Sequence, residues 1–370
     1  MNKFDSIRPY QDKEVNSTLR KLAFDKDIVN TIIDTKSYPL INKLPFSRML
    51  ISLMLWIRVR KIETIREYQD IFEGIVNNIV QTTIDNFSVS GIDNLDKNKS
   101  YLFISNHRDI TLDSALLNLT LHQNGFNTTN NAVGNNLLSE KWASDLMRLN
   151  RSFIIDRSEK SKKDIYKSLF LASEFISMSL KDKNESIWIA QKQGRSKDGI
   201  DFTDPSVLKM IHLSDRKTNI DEFFNSLSVV PISISYEKDP NDLLKAKELY
   251  LTSMNTEYTK EPKEDLQSIA DGITGDKGNV HLSIGEVIHF DDNCYEASAK
   301  LITDQINDLY KCHATNEAAC VIQGLPLNKS KFSEEEIENA MSYLKERLHS
   351  VEDSMQPFFL KQYSNSNYKL

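Results

Sequence analysis

Residues 101–121 read YLFISNHRDITLDSALLNLTL, and the reading of this stretch decides the fold. Its first four residues are apolar and aromatic, the mark of a short buried strand, and from Leu112 apolar residues recur at helical spacing through Ala115, Leu116 and Leu119. A strand therefore runs straight into a helix. At the joint stand Asn106, His107, Arg108 and Asp109, with Asp113 about one turn into the helix, so an imidazole and two carboxylates fall within seven residues. A histidine whose ring is held by a carboxylate can take a proton from a hydroxyl near neutral pH. The competing reading is a helix cap or a satisfied polar group at a strand end.

His107-Arg108-Asp109 also spells the start of a kinase catalytic loop, but that loop needs an Asn where Ser114 stands, and no Asp-Phe-Gly follows. That reading is excluded. Outward from the joint, residues 87–91 alternate like an edge strand, and residues 62–84 keep helical spacing through Ile65, Tyr68, Ile71, Ile75 and Ile79. Before them, residues 44–61 hold nine consecutive uncharged residues between Arg48 and Arg58. Residues 43–61 carry five basic residues and no acidic one. Such a segment suits a helix lying in a membrane interface near anionic headgroups, or one buried against the main domain. Residues 1–43 are polar, with short helical patterns at 15–24 and 28–33 and a break at Tyr38-Pro39.

Downstream, residues 118–136 read as a helix end and an Asn-rich loop, and residues 142–149 as a short amphipathic helix. Phe153, Ile154 and Ile155 form a strand that ends in Asp156-Arg157. Over residues 141–163 basic residues, Lys160 among them, exceed acidic ones by seven to three, which invites an anion or marks a solvated face. A helix over 164–180 feeds a strand over 186–190. The loop that follows, Gln191-Lys192-Gln193-Gly194-Arg195-Ser196-Lys197-Asp198-Gly199, has two glycines and three cations. Glycine lets backbone amides approach a ligand closely, and a guanidinium grips phosphate in two-point fashion. Residues 227–236 read as a central strand with Pro231 near its start. Residues 242–250 read as a helix, 252–278 as a polar insertion and 280–288 as a last strand, with amphipathic helices over 294–310 and 334–349.

Four of these pieces together resemble the glycerolipid acyltransferases, the glycerol-phosphate and lysophosphatidic acid acyltransferases. Asn106-His107 followed by Asp113 is similar to that family's Asn-His, four residues, Asp block, with one residue inserted. Residues 151–157 resemble its second block, with Arg151 where Gly is usual and Arg157 in place. Gln193-Gly194-Arg195-Ser196 resembles Pro-Glu-Gly-Thr-Arg-Ser, with Gln at the Glu and one residue deleted, and residues 227–236 resemble the fourth, Val-Pro block. The blocks come in family order, each at a strand end, across about residues 87–290.

The resemblance implies an α/β fold with a mixed, largely parallel sheet flanked by helices and a helical N-terminal lead. It divides the chain into a helical region 1–85, an acyltransferase domain 86–310 and a C-terminal helical extension 311–370. It implies transfer of a fatty acyl group from acyl-CoA or acyl carrier protein to a lysophosphatidic acid hydroxyl. His107 would be the base and Asp113 its partner, while Arg157, Gly194 and Arg195 would bind substrate. No cofactor and no metal is expected. The departures at Gln193, Arg151 and the His107 to Asp113 spacing leave open a catalytically silent lipid binder, or an enzyme acting on glycerol-3-phosphate or a lyso-aminolipid.

Composition narrows the classes. The 370 residues are 39% hydrophobic and 27% charged, with a formal net charge of -7, ordinary values for a globular chain. That balance excludes a general nucleic-acid binder, which needs a basic face. Cys294, Cys312 and Cys320 are too few and too spread for a disulfide framework and fit no zinc spacing, which points to thiols in a reducing compartment. The first residues lack the apolar segment of a secretory signal, and no apolar run reaches the ~18 residues of a spanning helix. A cytoplasmic protein in peripheral contact with the membrane's cytoplasmic face is the expectation.

Overall fold

Leu102–Ser105 forms strand β2, and all four of its residues are buried, as strands covered on both faces by helices are. The structure, a computed structural model, describes residues 3–34, 46–135, 140–157, 161–254, 258, 264–327 and 330–367. Elements are numbered along the chain. The contacts group into two compact units, Met1–Ile75 with Asn130–Phe175, and Val76–Thr129 with Ile176–Leu370.

The larger unit contains β1 (Asn86–Ser90), β2, β5 (Ile187–Ala190), β6 (Val229–Tyr236) and β7 (Asn279–Ile284), in the spatial order β1-β7-β6-β2-β5. All neighbours are parallel except β6 and β7, so the sheet is mixed and largely parallel. Leu102 lies opposite both Ile187 and Val229, and Ser105 opposite both Ala190 and Ile232. The loops leaving β2 and β5 therefore open at one edge, the carboxyl end where α/β sheets hold their ligands. Helix α5 (Leu112–Gln123) is nearly all core, burying Leu112, Ala115, Leu116, Leu117, Leu119 and Leu121. Beyond β6 come α10 (Asp242–Ser253) and α11 (Glu264–Thr274), and beyond β7 come α12 (Tyr295–Leu309), α13 (Ala314–Ile322), α14 (Glu334–Leu348) and α15 (Gln356–Ser364). Ala246, Ala318, Leu344, Phe359 and Tyr363 share one cluster that binds α10, α13, α14 and α15 together.

In the smaller unit, α1 (Asp12–Ala23) packs Val15, Leu19 and Leu22 against Ile62 and Leu149. Here β3 (Asn130–Gly134) pairs in parallel with β4 (Ser152–Ile155). The Asn-rich stretch read as a loop is thus a strand. Its amides find partners beside β4, Asn131 donating to Asn150 O (3.3 Å) and Asn130 accepting from Arg151 Nε (3.2 Å). That satisfaction is long-range and leaves no alternation in the local pattern. Arg151, where the family's block has Gly, adopts a left-handed φ of 58°, a conformation glycine takes without strain.

Two further departures concern helices. The polar insertion over 252–278 contains α11, and the expected helical extension 311–370 contains α13 and α15 beside the helix over 334–349, neither marked by a local pattern of its own. α13 and α15 are held in the cluster around Phe359, by tertiary packing more than by amphipathic spacing. The break at Tyr38-Pro39 lies outside the described residues, as do Lys160 and Lys43, Leu44 and Pro45 of the basic apolar segment. The rest of that segment forms α3 (Ser47–Val59). Ile51 is fully buried, while Phe46 (76% exposed), Met49 (62%), Leu53 (43%) and Ile57 (51%) make a solvent-facing apolar stripe at helical spacing. Among the described residues no helix is long and apolar enough to cross a membrane.

Candidate active site

Asp113 sits in the first turn of α5, fully buried, with a carboxylate that accepts four hydrogen bonds. Its Oδ2 takes His107 Nδ1 (2.8 Å), Arg108 N (2.6 Å) and Asp109 N (3.0 Å), and its Oδ1 takes the Tyr236 hydroxyl (2.8 Å). Two of those donors are backbone amides, so the carboxylate fixes the loop as well as the ring. Burial, and then the Asp113 and Asp109 charges, push the Tyr236 phenol well up, which keeps it a donor. With Nδ1 donating to a carboxylate, the His107 tautomer leaves the Nε2 lone pair unprotonated. The ring also meets Trp188 edge-on at 5.7 Å.

Asp109, the rival carboxylate, does a different job. Its Oδ1 accepts from Thr111 N (2.9 Å) and Leu112 N (2.8 Å), capping α5. Burial, with help from Asp113, holds its carboxyl above the usual range. The residue inserted into the family spacing is thus absorbed in a capped turn between His107 and α5. Gly272 of α11 closes over it, since a Cβ there would fall 2.3 Å from Asp109 Oδ2.

The loop after β5 is tied to this joint. Ser196 N donates to His107 O (2.7 Å). Asp201 accepts from Asn106 Nδ2 (3.1 Å) and Arg108 Nη2 (2.5 Å), and the Arg108 guanidinium lies 5.2 Å from the Tyr310 ring centroid. Burial works against the Arg108 charge, but Asp201 outweighs it and holds the guanidinium's pKa up. Asn106 also donates to Ile234 O (3.0 Å) and accepts from Ile234 N (2.8 Å), extending the β2 to β6 ladder by one side chain. Lys245 of α10, itself buried, donates to Arg108 O (2.8 Å) and to Asp239. None of Asp201, Tyr236, Lys245 and Tyr310 could be picked from the sequence, because each acts from a separate element; Tyr236 closes the Val-Pro block without being one of its marks, and the others belong to no local motif.

His107, Asp113, Gly194 and Arg195 all fall in the larger unit, whereas Arg157, half-buried after β4, belongs to the smaller one. Gly194 has φ 76° with open space at its Cβ position, so conformation and not crowding calls for glycine. Arg195 is half-buried, and its Nη1 is enclosed without a hydrogen-bond partner among the described residues. Gln193 is exposed. Among the described residues no group of three or more His, Cys, Asp and Glu is disposed to hold a metal ion.

Residues 86–192 match the family model described as Acyltransferase. Over those residues the chain is similar to that family, which supports acyltransferase activity. The match runs from β1 to just past β5 and stops short of Gly194. Among solved structures the chain is similar to the 1-acyl-sn-glycerophosphate (LPA) acyltransferase PlsC from Thermotoga maritima. The two share 15% identity with a TM-score of 0.40, covering 80% of this chain and 98% of that one, a likeness too loose to carry substrate or mechanism. No curated protein matches the chain.

The two carboxylates separate experimentally. Asp113→Asn presents an amide to His107 Nδ1 and turns the ring to the wrong tautomer, so acyl transfer should fall by roughly 10²- to 10⁴-fold. Asp109→Asn keeps a capping oxygen and should cost much less. Turnover of the two purified variants decides the matter, and a larger loss at Asp109 would contradict the assignment.

Proposed function

We propose that the protein transfers a fatty acyl group from acyl-CoA or an acyl carrier protein thioester to the hydroxyl of a lysophosphatidic acid, 1-acylglycerol-3-phosphate, in phospholipid synthesis. The observation that carries this reading is the His107-Asp113 pair, whose Nε2 has no hydrogen bond among the described residues, placed one backbone bond from the loop of Gly194 and Arg195. His107 Nε2 takes the acceptor's hydroxyl proton as that oxygen attacks the thioester carbonyl, and Asp113 stabilises the imidazolium. Collapse of the tetrahedral intermediate expels the thiolate, which takes the proton back from Nε2. General-base help of this kind contributes about 10²- to 10⁴-fold. Backbone amides near Gly194 face the developing oxyanion. Arg195, with its Nη1 unpartnered among the described residues, holds the acceptor phosphate, where a guanidinium serves better than an ammonium. No organic cofactor takes part in this scheme.

The test is transfer of labelled acyl groups from each thioester to a panel of lysolipids and glycerol-3-phosphate. Lysophosphatidic acid should be the best acceptor, and Arg195→Ala should raise its KM by roughly tenfold or more, the loss of about 1.5–3 kcal/mol of charged hydrogen bonding, with the thioester KM little changed. Preference for an unphosphorylated acceptor, or a selective rise for the thioester, would refute the assignment. Binding of lysolipid without transfer to any acceptor would favour the silent binder.

The same reading places the protein at the cytoplasmic face of a membrane, with α3 as the contact. The exposed stripe of Phe46, Met49, Leu53 and Ile57 is flanked by exposed Arg48, Arg58, Arg60 and Lys61. Each cation near an anionic surface contributes about 1 kcal/mol. Co-sedimentation with anionic vesicles should weaken in high salt and be lost on combining Phe46→Ser, Met49→Ser, Leu53→Ser, Ile57→Ser, Arg58→Glu and Arg60→Glu. Undiminished sedimentation of that variant would put the contact elsewhere. Substituting the buried Ile51 would report packing instead.

A further inference from the structure

The loop that carries Gly194 and Arg195 is braced from the far end of the chain. Beyond α15, a 3-10 turn (Asn365–Asn367) brings Ser366 against Gly199 and Arg108. The Ser366 hydroxyl donates to Gly199 O (3.1 Å) and accepts from Arg108 Nη2 (3.3 Å). Its one proton and one of its two acceptor sites are thus engaged across the loop and the joint. Next to it, Asn365 Nδ2 donates to Asp198 O (2.8 Å). Gly199, at φ 78°, lies so close to α15 that a Cβ would come within 2.4 Å of Gln362 O.

We propose that Ser366 is a positioning residue for the acyl-transfer site, a C-terminal strap that holds the Gly194–Gly199 loop and the Arg108 joint in one register. The proposal rests on the acyltransferase reading above. It lies outside the matched family stretch of residues 86–192, and no sequence block includes it. Its logic is geometric. Arg108 follows His107 directly, and its Nη2 is shared between Asp201, Ser366 and, at 3.4 Å, Gly199 O. Gly199 shares Ser366 with Arg108 and closes the loop that begins at Gly194. Through these two contacts one hydroxyl sets both the backbone beside the base and the loop that presents Arg195. Neither contact reaches the reacting atoms, so the effect passes through placement.

The experiment compares Ser366→Ala, Ser366→Thr and the unaltered full chain by amide hydrogen exchange, thermal unfolding and steady-state transfer to lysophosphatidic acid. Removing one hydroxyl leaves the α15 core of Phe359, Leu360 and Tyr363 in place, so the variants should fold. For Ser366→Ala the proposal expects faster exchange over residues 194–200 and 107–110 with little change in melting temperature. It also expects a fall in kcat of about ten- to a hundredfold, the size of effect a small misplacement produces, and recovery in Ser366→Thr. Unchanged loop exchange overturns the strap, and faster exchange with undiminished kcat overturns its positioning role. If the unaltered protein transfers acyl groups to no acceptor, the acyltransferase reading fails and the positioning role with it. The exchange result then still decides whether the strap exists.

Discussion

The Asp113 carboxylate is the constraint on which the site depends. A buried carboxylate is tolerated only when its lone pairs are met, and here two backbone amides, one imidazole and one phenol meet them. The two amides belong to Arg108 and Asp109, so the chain between His107 and α5 must curl around the carboxylate. That curl absorbs the extra residue in the His107 to Asp113 spacing. Moving Asp113 by one position would strand the amides and turn the imidazole away from its partner.

Around that point the structure uses a second charged hub. Asp201 takes Asn106 and Arg108, and Arg108 in turn meets Tyr310 and Ser366. Removing one partner of a buried ion pair leaves the other uncompensated and typically costs about 3–5 kcal/mol. The His107 joint, the loop after β5 and the C-terminal turn are therefore parts of one electrostatic assembly. The sheet supplies the common edge, since β2 and β5 end in register, and the polar network converts that edge into a fixed arrangement of side chains.

What could be read from the sequence was what local pattern encodes. β2 and α5 are legible because four apolar residues and then a helical period adjoin, and β5, β6 and the helices of strong amphipathic spacing follow the same rule. β3 was hidden because Asn130 and Asn131 obey partners across the unit and not an alternation, and α13 is concealed by its small residues, Ala314, Ala318 and Ala319, which pack without advertising a face. At the site, His107, Asp113, Gly194 and Arg195 stand inside short motifs and could be named. Asp201, Tyr236, Lys245, Tyr310 and Ser366 come from five separate segments whose meeting is purely tertiary. The choice between Asp109 and Asp113 needed geometry, because both are close enough in sequence to reach the ring.

The central claim is that Asp113 holds Nδ1 of His107 and so leaves the lone pair of the ring on Nε2. The most direct measurement is nitrogen NMR of the His107 ring in the full-length protein at a pH where the ring is neutral, assigned against His107→Gln. The account predicts a proton-bearing Nδ1 in a strong hydrogen bond and a bare Nε2. A ring protonated on Nε2, with Nδ1 bare, would contradict it, because no lone pair would then be available to accept the hydroxyl proton.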